Sequence, residues 1–294
     1  MHGDKDDHQG RPSCGSDQDT RDAEMTALSQ PAAWDTVAEG YDMAARGVFD
    51  AFALAALEAA PVLPGDEVAD IACGPGTLAT LAADRGARVT AVDFSDQMLS
   101  RLRLRHARER WPGFSIHLAD GQALPFPDAS FDAAFSLFGL MFFPNRAKGY
   151  AELRRTLRPG GRACISSWSS IADCSLFAAM ADAMGAILPS APQSTSDIAS
   201  LENPEVLAAE MIEAGFDDVQ ITRAQHDFEF ASPEQFWDGL VAGSAPVAMA
   251  KARMTPADWD ARQSRAIDRL RQTVGPFPAR LGATAWIGIG RRPQ

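Results

Sequence analysis

A short glycine-containing segment marks a place where a ligand could meet the main chain. Residues 70–77 read Asp-Ile-Ala-Cys-Gly-Pro-Gly-Thr, between a short apolar run and a helical pattern. Gly74 and Gly76 would let the main chain approach a ligand at the N-terminus of that helix. Asp93 ends the next apolar run, 19 residues after Gly74, where a carboxylate can accept hydrogen bonds from ribose hydroxyls. The spacing therefore predicts a ligand that contains a nucleoside.

Asp70 narrows the class of nucleoside ligand. A dinucleotide places its pyrophosphate against such a turn, and a carboxylate just ahead of the glycines would repel that group in a low-dielectric cleft. A ligand with an ammonium group would instead be attracted. S-adenosylmethionine has an ammonium group, a carboxylate that suits free backbone N–H groups, and a ribose for Asp93. The residue types therefore favour S-adenosylmethionine over a dinucleotide.

Two further side chains could complete a nucleoside site. Asp120 follows the third apolar run, and its carboxylate suits the exocyclic amine of adenine. Met98 lies one turn into the helix predicted after Asp93, where it could pack against the adenine face. A plainer interpretation exists for each residue, because Asp120 could cap a turn and Met98 could be a core methionine.

The apolar runs predict the elements that must position these residues. Strands alternate with helices, which predicts a parallel sheet covered on both faces. Helices are predicted before the first strand, and two helical regions later interrupt the alternation. The predicted strands are residues 67–72, 88–92, 114–118, 131–140, 162–168, 219–230 and about 283–289; the main predicted helices are 34–60, 96–110, 146–157 and 204–214.

Four segments together resemble class I S-adenosylmethionine-dependent methyltransferases, in particular the ubiquinone and menaquinone biosynthesis-like small-molecule group. They are VADIACGPGTLA (68–79), VTAVDFSDQML (89–99), LADGQALPFPDASFDAAFS (118–136) and LRRTLRPGGR (153–162), in the family's order and spacing. The resemblance implies an α/β fold, a Rossmann-like doubly wound sheet of seven strands with the last strand antiparallel. N-terminal helices and helical lid insertions would be added to that sheet.

The resemblance also implies a role for each site residue, with S-adenosylmethionine as cofactor and S-adenosylhomocysteine as product. Tyr41, in the segment EGYD, corresponds to a tyrosine that approaches the methionine end of the cofactor. The other implied contacts run from the methionine end through the ribose to the adenine, and they are Asp70, Gly74 and Gly76, then Asp93, then Met98, Asp120 and Gly121.

Length and charge limit the other possibilities. The 294 residues carry a formal net charge of −12, so broad attraction to nucleic acid or anionic lipid is a poor hypothesis. The polar, acidic residues 1–30 predict a disordered tail, and residues 31–294 predict a single methyltransferase domain. Its cofactor-binding half is expected at about 34–170, with lid insertions at about 171–203 and 232–275.

The spacing of the cysteines and the length of the apolar stretches indicate the expected cellular compartment. The four cysteines are scattered, with no Cys-x-x-Cys pair and no His at ligand spacing, so neither a metal site nor a disulfide framework is predicted. The longest uncharged apolar stretch, residues 133–143, is well short of the roughly 20 residues of a membrane-spanning helix. We therefore expect a cytoplasmic protein whose oligomeric state the sequence does not predict.

The acceptor of the methyl group is expected to be a small, apolar or aromatic metabolite, with carbon, oxygen or nitrogen as the accepting atom. In-line displacement from a sulfonium needs alignment more than a dedicated nucleophile. His226 is the weak candidate for a general base, and a structural histidine is the plainer interpretation. Five aromatic residues could line an acceptor pocket or fill the core of a lid: Trp34, Phe142, Phe143, Trp237 and Trp259.

Two alternatives stay open. A non-catalytic, regulatory protein that binds S-adenosylmethionine would have the same motifs, because no obligatory catalytic residue exists whose absence would reveal it. An NAD-dependent oxidoreductase shares the glycine turn, although Asp70 and the segment around Asp120 disfavour it.

Overall fold

The computed structural model describes residues 27–44, 46–187 and 201–294. Most of the predicted acidic tail and part of the first predicted lid insertion lie outside the described residues. The strands are β1 Glu67–Ile71, β2 Arg88–Asp93, β3 Ser115–Leu118, β4 Phe131–Leu137, β5 Leu157–Trp168, β6 Asp217–Phe230 and β7 Ala279–Arg291.

The helices surround the sheet and extend beyond it. They are α1 Pro31–Ala44, α2 Arg46–Ala59, α3 Thr77–Asp84, α4 Asp96–Glu109, α5 Arg146–Thr156, α6 Ser175–Ile187, α7 Pro204–Glu213, α8 Pro233–Gly243, α9 Ala245–Ala252 and α10 Pro256–Thr273. No helix in the described ranges is both long and apolar enough to cross a membrane.

The seven strands form one sheet in the order β3-β2-β1-β4-β5-β7-β6. Strands β1 to β5 pair in parallel, whereas β7 is antiparallel to both β5 and β6. The predicted fold class is therefore confirmed, including the antiparallel last strand. The strand order reverses direction between β1 and β4, and ligands of such sheets bind in the crevice outside the carboxyl ends of the strands at that point.

Small and apolar residues let helices cover both faces of the central strands. Val68 and Phe135 point to the face covered by α2, α3 and α4, and the alternate residues Ala69 and Ala134 point to the opposite face. Tyr150 of α5 and its neighbours pack against that opposite face. Burial on both faces explains why the strands read as continuous apolar runs.

Strand β4 ends earlier than the sequence predicts. It stops at Leu137, and residues Leu140–Phe142 form a turn of 3-10 helix instead of continuing the strand to residue 140. Phe138 has a left-handed backbone with φ of 57°, which ends the strand. Strand β5 begins earlier than predicted, where Leu157 pairs with Phe131 of β4, and β7 begins earlier because Ala279 already pairs with Phe230 of β6.

Two helical regions pack beside the sheet rather than within its layers. Trp237 of α8 stacks on Trp259 of α10, with ring centroids 6.0 Å apart, and both side chains are buried there. Helix α1 crosses α8 closely at Gly40, where an added Cβ would overlap the carbonyl oxygen of Ala242. The helices before the sheet and after β6 therefore contact one another over the carboxyl ends of the strands.

Candidate functional site

The turn between β1 and α3 forms one wall of a cavity of about 480 Å³. Gly74 lines the cavity with φ of 53°, and its backbone N–H donates to Asp93 Oδ2 at 2.8 Å. An added Cβ at Gly74 would have nothing within 4 Å, so space lies open above it. Gly76 has φ of 84°, but an added Cβ there would overlap the side chain of Leu102. Gly76 thus shapes the turn from beneath, and it is not among the residues that line the cavity.

Asp93 lies at the end of β2 and faces the cavity. Besides the Gly74 bond, its Oδ1 accepts a hydrogen bond from the backbone N–H of Ser95 at 2.8 Å. Burial raises the pKa of Asp93 to about 6, although these backbone hydrogen bonds oppose the shift. Each carboxylate oxygen has two acceptor positions, so both oxygens can still accept a hydroxyl from a ligand.

Asp70 is buried under the turn and contacts the following helix. Its Oδ2 accepts from the backbone N–H of Ala79 at 3.0 Å, which satisfies a free N–H group at the start of α3. Burial raises the pKa of Asp70 to about 7. Asp70 is not among the cavity-lining residues, so its contact with the methionine end of a cofactor stays a prediction.

The loop after β3 and the first turn of α4 lie on the same side of the cavity. Met98 is buried and lines the cavity, and its backbone N–H donates to Ser95 Oγ at 3.1 Å. Asp120 is exposed, lines the cavity and accepts from the backbone N–H of Gln122 at 2.8 Å. Gly121 also lines the cavity, and an added Cβ there would overlap the ring of Phe143. We call Gly74, Asp93, Met98, Asp120 and Gly121 the cofactor end.

Helix α1 brings Tyr41 to the cavity between the cofactor end and a group of aromatic rings. Tyr41 stacks on Phe49 with ring centroids 5.2 Å apart. Burial, and then the charge of Asp93, raise the pKa of Tyr41 well above its ordinary value. Its hydroxyl therefore stays protonated and can hydrogen-bond to a ligand, but it cannot serve as a base near neutral pH.

The remainder of the cavity is lined mainly by apolar and aromatic side chains from α2, β4, β5, α6, β6 and α8. Phe138 and Trp168 stack with centroids 3.8 Å apart, and Phe177 meets Trp168 edge-on at 4.7 Å. Among the described residues that line the cavity, Asp93 and Asp120 are the only charged ones. We call the following cavity-lining residues the aromatic end: Phe49, Phe138, Trp168, Phe177, Phe230 and Phe236.

The ends of β1 and β4 share an unusual backbone feature at the cavity. Ala72 and Phe138 both have left-handed φ values, 58° and 57°, without being glycine. Such a conformation costs roughly 1–2 kcal/mol for a residue with a Cβ. Both residues line the cavity, and backbone strain of this kind concentrates at functional sites.

The structure divides the five aromatic residues named in the sequence analysis into those that line the cavity and those that fill a core. Trp34, Phe142 and Phe143 line the cavity, whereas Trp237 and Trp259 fill the core between α8 and α10. His226 lies on β6, edge-on to Phe52 with centroids 5.0 Å apart, and is not among the cavity-lining residues.

The aromatic end as a set was missed by sequence reasoning, as was its contribution from α6. Its residues come from five separate elements and from the position just after β4, and no short motif joins them. The run of Phe138, Phe142 and Phe143 after β4 was the one local signal available in the sequence.

Comparisons with known proteins match the part of the chain that contains the β1–α3 turn and the residues of the cofactor end. Residues 69–165 match a protein family described as "Methyltransferase domain". A demethylmenaquinone methyltransferase of Clavibacter sepedonicus is 38% identical over 143 residues, which are 47% of this chain and 58% of that protein. An uncharacterized protein of Mycobacterium tuberculosis is 33% identical over 155 residues, 52% of this chain and 55% of that protein. The chain thus spans little more than half the length of these relatives.

Solved structures resemble a larger part of the chain. A putative methyltransferase from Bacillus halodurans has a TM-score of 0.55 at 18% identity, covering 82% of this chain and 99% of that one. Phosphoethanolamine N-methyltransferase 2 of Haemonchus contortus, in complex with S-adenosyl-L-methionine, has a TM-score of 0.52 at 20% identity, covering 82% and 52%. At these identities the likeness shows the fold. Together with the match over residues 69–165, it confirms the resemblance to class I S-adenosylmethionine-dependent methyltransferases.

Proposed function

We propose that the protein transfers a methyl group from S-adenosylmethionine to a small, uncharged acceptor held at the aromatic end. The observation that carries this proposal is a single cavity that contains both the cofactor end and the aromatic end. Methyl transfer by displacement needs such a shared, water-poor space, because the acceptor must lie in line with the bond that breaks.

The residues of the cofactor end fit S-adenosylmethionine. Asp93 keeps acceptor capacity for the ribose hydroxyls although it already binds two backbone N–H groups. The open space above Gly74 allows a ligand to approach the main chain. Met98 offers an apolar surface and Asp120 an exposed carboxylate, as an adenine requires. When bound, the cofactor supplies a methyl group on a positively charged sulfur, a centre that an uncharged nucleophile can attack.

The side chains of this protein would act by placement and by exclusion of water. The aromatic end supports an apolar or aromatic acceptor, because a charged group there would lose its hydration without finding an opposite charge. Tyr41 keeps its proton and can orient a ligand by hydrogen bonding. His226 lies outside the cavity lining, and we propose no general base. An acceptor atom that is nucleophilic without a protein base and that releases its proton to water as it gains the methyl group fits this arrangement, and its product is uncharged.

We also propose that residues 31–294 form one domain in which the two helical regions act as lids. Helix α6 supplies Leu176, Phe177 and Met180 to the cavity lining, and α8 supplies Phe236 and Leu240. These contributions support lids at about 171–203 and 232–275 over a cofactor-binding half at about 34–170. Of the first lid, residues 188–200 lie outside the described part of the chain.

Titration calorimetry with S-adenosylhomocysteine tests the cofactor half of the proposal. We expect binding to the wild-type protein and at least a thirtyfold loss in Asp93→Ala, since about 2 kcal/mol is a reasonable cost for removing a buried, charged acceptor. Glu58→Gln, which alters an exposed carboxylate on α2, is the matched control and should bind like wild type. No binding to the wild type, or unchanged binding by Asp93→Ala, would refute the assignment.

Two comparisons separate the alternatives. Thermal shift with NAD beside S-adenosylhomocysteine should show stabilisation by the latter alone, and stabilisation by NAD alone would favour an oxidoreductase. Incubation with methyl-labelled S-adenosylmethionine and extracted small metabolites separates an enzyme from a binding protein, because only an enzyme transfers the label.

A further inference from the structure

Helix α1 touches both ends of the cavity through different side chains. Trp34 and Tyr41 line the cavity, and Tyr41 stacks on Phe49 of the aromatic end with ring centroids 5.2 Å apart. Asp35, next to Trp34 in sequence, points instead to the start of α4. Its Oδ1 accepts hydrogen bonds from Ser95 Oγ at 2.6 Å and from the backbone N–H of Gln97 at 3.2 Å.

Ser95 connects this contact to the cofactor end. Its backbone N–H donates to Asp93 Oδ1, and its Oγ accepts from the backbone N–H of Met98 while it donates to Asp35. Ser95 is fully buried, so water does not compete for these bonds. One buried residue therefore joins Asp93 and Met98 of the cofactor end to Asp35 of α1.

Other contacts hold α1 in place without reaching that network. Asp42 pairs with Arg105 and, at 3.4 Å, with Arg101 on the outer part of α4. Glu39 lies 3.7 Å from Arg101 and is largely exposed. These ion pairs attach α1 to α4 at a distance from Ser95, so they do not by themselves link the position of α1 to a ligand on Asp93.

We propose that Asp35 is a positioning residue that couples the two ends of the cavity. A cofactor that binds Asp93 and Met98 fixes Ser95, and Ser95 then fixes α1 with Trp34 and Tyr41 against the acceptor. Occupation of the cofactor end thus strengthens binding at the aromatic end. By thermodynamic reciprocity an apolar ligand strengthens cofactor binding by the same factor. The inference rests on the proposed function.

The coupling is measured with N-phenyl-1-naphthylamine, a neutral apolar fluorophore, titrated with and without saturating S-adenosylhomocysteine. In wild type we expect roughly tenfold tighter binding with S-adenosylhomocysteine, a common size for coupling between sites. In Asp35→Ala the two affinities should agree within about twofold, while S-adenosylhomocysteine alone still binds. Asp35→Asn should keep most of the coupling, because its amide oxygen can accept the same two hydrogen bonds.

Glu39→Gln is the matched control on the same helix and should couple like wild type. A merely structural role for Asp35 would lower thermal stability and leave the ratio of the two probe affinities unchanged. The ratio is therefore the deciding quantity.

Hydrogen exchange of the α1 amides gives a second measurement that needs no probe. S-adenosylhomocysteine should slow exchange over residues 36–44 several-fold in wild type and much less in Asp35→Ala. Equal slowing in both proteins, or an unchanged affinity ratio in Asp35→Ala, overturns the inference while leaving the proposed function intact. A wild-type protein that does not bind S-adenosylhomocysteine overturns both.

Discussion

The two ends of the cavity are built in different ways. The cofactor end consists of strand termini and the turns after them, where β1, β2 and β3 end side by side in a parallel sheet. The aromatic end is assembled from side chains of five elements and from Phe138, which follows β4. Main-chain turns at strand ends depend on local sequence, whereas the aromatic end depends on how distant elements pack. In the proposed function the first end would bind the cofactor, and the second would determine which acceptor is bound.

The largest loss of stability should come from substituting Gly76, which shapes the turn and does not line the cavity. In Gly76→Ala the new methyl group would overlap Leu102 in a left-handed backbone, and we expect a loss of about 3 kcal/mol in the free energy of unfolding. Gly74→Ala has the same backbone problem with open space around the Cβ, and should lose about 1 kcal/mol. Urea denaturation of both variants measures the difference. Equal losses would contradict the distinction between a packed and a ligand-facing glycine.

Acidification should raise the stability of the ligand-free protein and lower its affinity for S-adenosylhomocysteine. Burial holds the pKa of Asp70 at about 7 and that of Asp93 at about 6, above their ordinary value of 3.8. The folded protein therefore binds more protons than the unfolded chain in the window from about pH 4 to 7, and stability decreases as pH rises through it. Lowering the pH from 8 to 5.5 should add about 3 kcal/mol to the free energy of unfolding of the ligand-free protein.

Affinity for S-adenosylhomocysteine should fall over the same acid range, because a protonated Asp93 is a poorer acceptor for ribose hydroxyls. Binding of a neutral apolar probe at the aromatic end should not change. Chemical denaturation and calorimetry at several pH values check both expectations, and Asp70→Asn should weaken the pH dependence of stability. An affinity for S-adenosylhomocysteine that rises on acidification would contradict the expected difference in pH dependence between the cofactor end and the aromatic end.

Truncation of one aromatic side chain should affect only the aromatic end. Phe177→Ala removes a ring of α6 that meets Trp168 and lines the cavity, so we expect about tenfold weaker binding of N-phenyl-1-naphthylamine. Affinity for S-adenosylhomocysteine should stay within about twofold. Phe114→Ala, which removes an aromatic ring stacked on His106 outside the cavity lining, serves as the control and should change neither affinity.

The smallest effect is expected at the exposed carboxylate of the cofactor end. Asp120→Asn keeps an oxygen for the Gln122 N–H but loses the charge, and should weaken S-adenosylhomocysteine binding roughly threefold. Asp128→Asn alters another exposed acid nearby, one that pairs with Arg155, and should not weaken it. Calorimetry on the two variants separates a ligand contact from a turn cap, because a pure cap would leave the affinity unchanged.

The sequence predicted the sheet, and it indicated residues of the cofactor end that the structure brings together at the cavity, because both follow from local patterns. Apolar runs gave the strands, and the spacing of Gly74 and Asp93 fits strands that end side by side and share a hydrogen bond. The positions of Gly76 and Asp70 beneath the turn were not predicted, because spacing does not show which side of a turn faces the ligand.

The aromatic end could not be predicted from local sequence patterns, and the reason is physical. Phe138 reaches the cavity through a left-handed backbone that its residue type does not favour, and it stacks on Trp168, which ends another strand. Judged by residue type alone, Trp237 and Trp259 could equally have lined a pocket, yet they pack on each other. Such choices depend on tertiary packing, which no pattern of one chain segment encodes.

Transfer of a labelled methyl group tests most directly whether the two ends work together. The wild-type protein, incubated with methyl-labelled S-adenosylmethionine and extracted small metabolites, should move label into an uncharged molecule that partitions into organic solvent. Asp93→Ala should lower this transfer at least thirtyfold at limiting cofactor, and Phe177→Ala should reduce it while S-adenosylhomocysteine affinity stays within about twofold. Label found only in charged products that stay in water, or binding of S-adenosylhomocysteine without any transfer, would contradict an apolar acceptor held beside the cofactor in one cavity.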